Sequence, residues 1–418
     1  MCKVNVSSEI GTLEAVILHT PGQEVEKMIP ENVERALYSD ILNLSVAKVE
    51  YQQFKDILSL HCQTYEVKEL LAKILNQPRV KENLLSKICE SENVPELKEY
   101  LSLLECDEIA RQLIEGVDIK RDSLTKYLSN ERYSLCPLHN FFFTRDASIS
   151  LYNKVLIGKM ANNVRERESL IMNAIFKYHP DFGVERHNPL AINTEKDNQS
   201  VKIEGGDVLI VSENVLVIGT GVRTSTQGVD FIVDAIKKER KEPFHILVQE
   251  LPDTPESFIH LDMVFTLLDK DACLVYEPLI LSHNRYRTIH ITIANGKVSS
   301  IENEQNLLKA LQKLGYDFKP ITCGGSDKWN QEREQWHSGA NFLAIAPGVI
   351  IGYNRNIHTI EELNKNGFCV VAAKEIINKK VSFPNEKTVI TIAGAELARG
   401  GGGARCMSMP VRRKSVDL

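Results

Sequence analysis

Hydrophobic residues change their spacing along this chain, and each change predicts a different element. Glu14-Ala15-Val16-Ile17-Leu18-His19 is a short apolar run closed by Pro21-Gly22, which predicts a buried strand and a turn. Over 31–44 and 46–61 the apolar positions recur every three or four residues (Leu37, Ile41, Leu42, Leu44; Val46, Val49, Phe54, Ile57, Leu58), so two helices should cover that strand. From 67 to 128 leucine-rich pairs, among them Leu70-Leu71, Leu84-Leu85 and Leu113-Ile114, alternate with short polar breaks. That texture predicts a helical bundle over 68–130, inserted in a single domain that spans 1–418 and carrying no chemistry of its own.

Beyond Leu138 a loose repeat takes over, in which two apolar runs meet at a tight turn and a helical stretch follows. Copies lie at 143–158, 203–219, 260–276 and 341–353, with turns at Asn153-Lys154, Glu213-Asn214, Lys270-Asp271 and Pro347-Gly348. Three of them put an acid or an imidazole at the entrance of the first strand: Asp146, Glu204 with Asp207, and His260 with Asp262. If the repeats share an axis, these groups converge from distant positions. A buried carboxylate without a partner is strongly disfavoured, so three such entrances together point to a site.

Composition narrows the class. The 418 residues carry a net charge of −6 with dispersed basic positions, which argues against a nucleic-acid surface. The first residues lack the apolar core of a signal peptide and no window approaches the ~20 apolar residues of a membrane span, so a soluble cytoplasmic protein is expected. Nine scattered cysteines, odd in number and without a CxxC pair, fit reduced thiols.

One cysteine stands apart. Cys406 follows Gly400-Gly401-Gly402-Gly403, with Arg399 and Arg405 on the same loop. A thiol attacks as its thiolate, and nearby cations lower the ordinary thiol pKa of ~8.5, so Cys406 is a candidate nucleophile on a flexible loop. His260 and Asp262 also have the spacing of two ligands of a non-haem iron site, but none of His290, His337 and His358 sits at an equivalent strand entrance. A Cys–His hydrolase of the protease type is a further alternative, for which three acids are too many. Several carboxylates around one thiol and one histidine suit a cationic, planar substrate such as a guanidinium, which carboxylates hold in a fork.

At these residues the chain resembles the arginine deiminases of the guanidine-modifying (pentein) superfamily. The resemblance rests on Ser8-Glu9-Ile10-Gly11 with Leu13, Leu18-His19 with Pro21-Gly22, Asn140 with Phe143-Thr144-Arg145-Asp146, Glu204-Gly205-Gly206-Asp207, and His260-Leu261-Asp262 with Val264-Phe265. Arg333-Glu334-Gln335-Trp336, Ala346-Pro347-Gly348 and Cys406-Met407-Ser408 continue it in the family's order. It implies an α/β fold, a five-bladed propeller of ββαβ units with the inserted bundle. It also implies hydrolysis of L-arginine to citrulline and ammonia through an amidino-cysteine, without cofactor or metal, in a homo-oligomer. By the same resemblance Cys406 attacks the guanidinium carbon, Asp146 and Asp262 grip its nitrogens, and His260, oriented by Glu204, moves protons. Arg165 and Arg223 hold the substrate carboxylate, and Asn140, Phe143 and Gly403 line the pocket. The other readings of the same residues are an amidinotransferase of the same fold and a non-catalytic arginine-binding protein. Departures from the family pattern are the missing arginine at Gly401, Ala404, Ala147 and Cys136-Pro137-Leu138-His139, and they bear on how tightly the loop closes over a substrate.

Overall fold

A computed structural model describes residues 3–29, 40–191 and 201–418. Of the helix predicted over 31–44, residues 31–39 lie outside the described ones, 40–43 are not helical and Leu44 begins the next helix. The next helix runs Leu44–His61, begun by Asn43, whose side-chain oxygen accepts the Ser45 and Val46 N–H groups. Its buried stripe is Leu44, Ala47, Tyr51, Phe54, Ile57 and Leu58, whereas Val46 and Val49 face outward, so the predicted stripe was rotated by about a residue.

The chain is α/β, with five separate sheets of three or more strands among the described residues, built on one plan. Two strands pair antiparallel, and a third lies parallel to the second after a crossover that contains a helix, because parallel neighbours cannot be joined by a tight turn. In one sheet Ser148–Leu151 pairs with Lys154–Ile157, which Arg186–His187 flanks. In the next Val208–Ser212, Val215–Thr220 and Phe244–Glu250 follow the same order. Their Val and Ile runs are buried almost throughout, as strands covered on both faces require. Phe265–Asp269, Ala272–Val275 and Lys319–Thr322 make another. Leu343–Ala346, Val349–Tyr353 and Thr388–Ile392 make the fourth. These contain the four predicted hairpins; three turn at the predicted Glu213-Asn214, Lys270-Asp271 and Pro347-Gly348, whereas the first turns at Tyr152-Asn153, one residue earlier than expected, because Lys154 already pairs with Leu151.

The fifth sheet joins both ends of the chain. Leu13–Leu18 pairs antiparallel with Met409–Arg413 and parallel with Gln63–Glu66. Its first strand in the common plan is thus the last strand of the sequence, placed directly after the Cys406 loop.

Helices Val67–Leu75, Pro78–Ser91, Leu97–Ser102, Cys106–Glu115 and Leu124–Leu128 occupy the predicted bundle. They are not set apart from the sheets. Leu70, Leu71, Leu84, Leu85 and Leu113 share one buried cluster with Ala15, Ile17, Val155, Ile157, Met409 and Val411. Burying a leucine fully is worth roughly 1.5–3 kcal/mol, so the shared layer couples the bundle to two sheets. Leu71→Ala is therefore expected to lower stability by about 2–5 kcal/mol in one cooperative urea transition. A separate early transition of the helices would show instead that the bundle unfolds by itself.

Candidate active site

The strand entrances do converge. Gly205–Asp207 and Leu261–Met263 are single 3-10 turns ahead of their strands, and the Leu261 N–H donates to Asp207 Oδ1 at 2.9 Å, fixing the His260-Leu261 turn. A Cβ on Gly206 would stand 2.8 Å from His260 Nδ1, so a glycine is needed where the imidazole packs on the backbone. His260 Nε2 lies 2.9 Å from Glu204 Oε2. Its other nitrogen, Nδ1, lies 3.9 Å from Asp146 Oδ1. Glu204 Oε1 also accepts the Ala161 N–H at 3.0 Å and stands 3.6 Å from Arg223 Nη1.

Each remaining acid is tied by an arginine. Arg165 Nη1 donates to Asp146 Oδ2 at 2.8 Å, while its Nε and Nη2 form a fork on Glu168 at 3.1 and 2.9 Å. Arg405 forms a second fork on Glu9, both contacts at 3.1 Å, and its Nη1 donates to Asp262 Oδ2 at 2.7 Å. Both guanidiniums and all four carboxylates are buried. Bidentate, charge-assisted pairs of this kind hold geometry, and removing one partner strands the other charge in a poorly solvated place. Asp146 Oδ1, also buried, has no hydrogen-bond partner.

Cys406 Sγ lies 3.6 Å from Asp262 Oδ2 and 3.2 Å from Asn341 Nδ2. A cavity of about 50 Å³ opens beside it, walled by Asn140, Phe143, Asp146, Arg165, Arg223 and His260 and by Gly400, Gly401 and Gly402. Ile259 and Met263 complete that wall and escape the sequence motifs, being ordinary apolar residues. Glu204 and Asp262 stand behind it, fully buried.

Three expectations change. Gly403 is not on the wall: a Cβ there would lie 2.6 Å from the Asn341 carbonyl oxygen, so it is packed behind the loop. The loop is not loosely attached, since Gly402 O accepts from Tyr353 Oη at 2.9 Å and Gly400, Gly402 and Gly403 are buried; Gly401 alone is exposed, at a φ of +82°. Arg165, read as a carboxylate holder, instead spends each of its three nitrogens on an acid, because Glu168 sits one turn along the same helix.

The arginines do not activate the resting thiol either. Arg399 pairs with Asp40 and Glu396 at the surface, and Arg405 is held by Glu9 and Asp262. Burial, then Asp262 and Asp146, push the Cys406 thiol well above its usual range, which outweighs Arg405. His260 moves the other way. Burial opposes its charge, yet Asp146, Glu204 and Asp207 raise it to about 9. Glu204 is held below the usual carboxylate range because Arg223, His260 and Arg165 outweigh its burial. At neutral pH the centre therefore holds a neutral thiol and an imidazolium. Asp146, Glu204 and His260 lie close enough to share a metal ion, but Arg165 and Arg223 face those carboxylates and the imidazole is protonated, a poor ligand set for a cation.

A model of the arginine deiminase family matches residues 34–413. The chain belongs to the arginine deiminase family. Arginine deiminase 1 of Staphylococcus epidermidis is 32% identical over 433 aligned positions, covering 99% of both chains. An arginine deiminase of Borrelia garinii subsp. bavariensis is 33% identical over 433 positions, 99% of this chain and 98% of that one. Among solved structures, the SxtG amidinotransferase of Microseira wollei aligns with a TM-score of 0.57 at 13% identity, over 99% of this chain and 98% of that one. The N-terminal domain of ArgZ, a cyanobacterial arginine dihydrolase, aligns with a TM-score of 0.52 at 13% identity over 96% and 98%. At those identities the solved structures show a shared fold only.

Within this arginine deiminase chain, Glu9, Glu168 and Asn341 join the site without having been singled out from the sequence. Glu9 had a signal, as the acid inside the Ser8–Gly11 block, and Glu168 as an acid three residues after Arg165, but their partners were not legible. The His260 pairing has a measurable consequence. Because the folded-state pKa is raised, the stability it contributes is complete below pH ~6.5 and is lost as pH rises through about 9. Glu204→Gln removes one carboxylate that holds the proton, so the alkaline limb of kcat/KM, expected near 9, should shift toward neutrality; a limb that stays in place would separate His260 from that titration.

Proposed function

We infer that this enzyme hydrolyses L-arginine to L-citrulline and ammonia through a covalent amidino-cysteine on Cys406. The observation that carries the reading is the pair of half-used carboxylates beside one thiol. Asp146 and Asp262 each have one oxygen tied by an internal arginine, while Asp146 Oδ1 is buried without a partner and Asp262 Oδ1 lies 3.9 Å from Sγ. A guanidinium is the planar cation that two such oxygens satisfy.

Binding that cation brings positive charge beside Sγ, which offsets Asp262 and Asp146 and releases the thiol proton to solvent. The thiolate then attacks the guanidinium carbon, and His260 gives its proton to a terminal nitrogen. Ammonia leaves and an amidino-thioether remains. Neutral His260 takes a proton from water, hydroxide adds to the same carbon, and the C–S bond breaks. The hydroxyl proton returns to sulfur as the citrulline carbonyl forms, so protons and electrons balance over the cycle. Nδ1 is the nitrogen suited to this transfer, since Nε2 is engaged by Glu204. Arg223 and Asn140, on the cavity wall, suit the substrate carboxylate, and Arg165 acts by aiming Asp146.

The wider proposal places the five sheets around one axis as ββαβ blades, with 1–418 as a single catalytic domain and the bundle as its insertion; their common strand order supports this. A homo-oligomer is supported by Trp329 and Trp336, 82% and 51% exposed and seven residues apart on one helix. A cytoplasmic setting is supported by eight free cysteines among the described residues and by the finding that no described helix is long and apolar enough to cross a membrane.

Citrulline formation from free L-arginine is the test. Wild type should form it and Cys406→Ser should not, with the melting temperature retained because serine is close to isosteric. Asp146→Asn should lose about 2–5 kcal/mol of transition-state stabilisation in kcat/KM. Wild-type turnover by Cys406→Ser would remove the covalent route, and transfer of the amidino group to added glycine would identify an amidinotransferase.

A further inference from the structure

The polar strand entrances of three hairpins carry Asp146, Glu204, His260 and Asp262. The fourth hairpin, Leu343–Ala346 with Val349–Tyr353, has an amide at the same place: Asn341, 1% exposed. Its side-chain hydrogen-bonding capacity is filled. Oδ1 accepts the Arg405 N–H at 3.0 Å and the Cys406 N–H at 3.1 Å, while Nδ2 donates to Asp262 O at 3.1 Å and reaches Cys406 Sγ at 3.2 Å. Two backbone donors on one side require the oxygen there, so the amide cannot be flipped and its N–H must face the sulfur. The backbone N–H of Asn341 is itself anchored on Ser338 O at 3.0 Å.

We propose that Asn341 is a positioning residue for the Cys406 thiolate, fixing the backbone of the nucleophile and donating a hydrogen bond to its sulfur. The inference rests on the reading of Cys406 as nucleophile. The surroundings show why such a donor is needed. Asp262 lies 3.6 Å from Sγ, and Arg405, the nearest cation on the loop, has its donors directed to Glu9, Asp262 and the Val208 carbonyl. Of the side-chain contacts to the sulfur, the Asn341 amide is the shortest, ahead of both Asp262 oxygens and Met263 Sδ at 4.0 Å. A neutral donor stabilises the thiolate and adds no charge to compete with a cationic substrate for Asp146 or Asp262. A hydrogen bond to an ionised group is strong enough to move a pKa by about one to two units.

The experiment uses the full chain as wild type, Asn341→Ala and Asn341→Asp, with folding checked by melting temperature. The rate of Cys406 carboxamidomethylation by iodoacetamide is followed against pH by peptide mass, without substrate. The midpoint should rise by about one to two pH units in Asn341→Ala and further in Asn341→Asp, which keeps the size and an acceptor oxygen but sets a carboxylate against the sulfur. In turnover, kcat should fall about 10- to 100-fold while KM moves less than about threefold. Should the alanine variant fail to fold, the aspartate variant carries the test. An alkylation midpoint equal to that of wild type in either folded variant overturns the proposal and leaves the deiminase reading standing. Citrulline formation by Cys406→Ser would overturn that reading instead, without altering the thiol titration.

Discussion

Burial of Glu9, Asp146, Glu168, Glu204 and Asp262 at one centre is the constraint on which the site depends. A carboxylate taken out of water is costly unless paired, and removal of one partner from a buried pair typically costs about 3–5 kcal/mol. The chain meets this with Arg165 and Arg405, each of which forks onto one acid and reaches a second. The pairs thereby aim the groups beside the cavity. Asp146 and Asp262 each have one oxygen tied, which limits the direction in which the other can point. Stability and geometry come from the same contacts, and the acids furthest from the cavity, Glu9 and Glu168, act by holding the arginines that hold the nearer ones.

The same burial sets the protonation of the resting centre. A thiolate at rest would need positive charge free to face the sulfur, but Arg405, the adjacent residue on the loop, is already neutralised by Glu9 and Asp262. The sulfur faces Asp262 and keeps its proton, while His260, among Asp146, Glu204 and Asp207, keeps its own. With its proton in place the sulfur is a weak nucleophile, and a cation beside it favours loss of that proton. The requirement for a charged planar group then arises from electrostatics as well as from shape, and a neutral urea such as citrulline would not supply it.

The hairpins were legible in the sequence because runs such as Val208–Ser212 and Val215–Thr220 are apolar on both faces and break at polar turns. The fifth sheet was not, since its strands come from opposite ends of the chain and no local repeat joins Leu13–Leu18 to Met409–Arg413. Charged residues at strand entrances marked Asp146, Glu204, His260 and Asp262. Asn341 occupies the equivalent entrance, and a neutral amide ahead of a strand looks like turn chemistry. Pairings were the least legible feature. Arg405 and Glu9 are 396 positions apart, and Arg405 beside a cysteine reads as an activating charge until its partners are seen. Arg165-Glu166-Arg167-Glu168 reads as a solvated helix face, although Arg165, Arg167 and Glu168 are all buried.

The central claim is that Cys406 becomes covalently bonded to the guanidinium carbon during turnover. Mass analysis of the Cys406 peptide after rapid acid quenching of enzyme mixed with L-arginine, beside the same sample with L-citrulline, tests it most directly. The account predicts an amidino adduct on Cys406 that appears with arginine, decays as arginine is exhausted and is absent with citrulline. Steady citrulline production with an unmodified Cys406 at every quench time, or with the adduct on another residue, would contradict it.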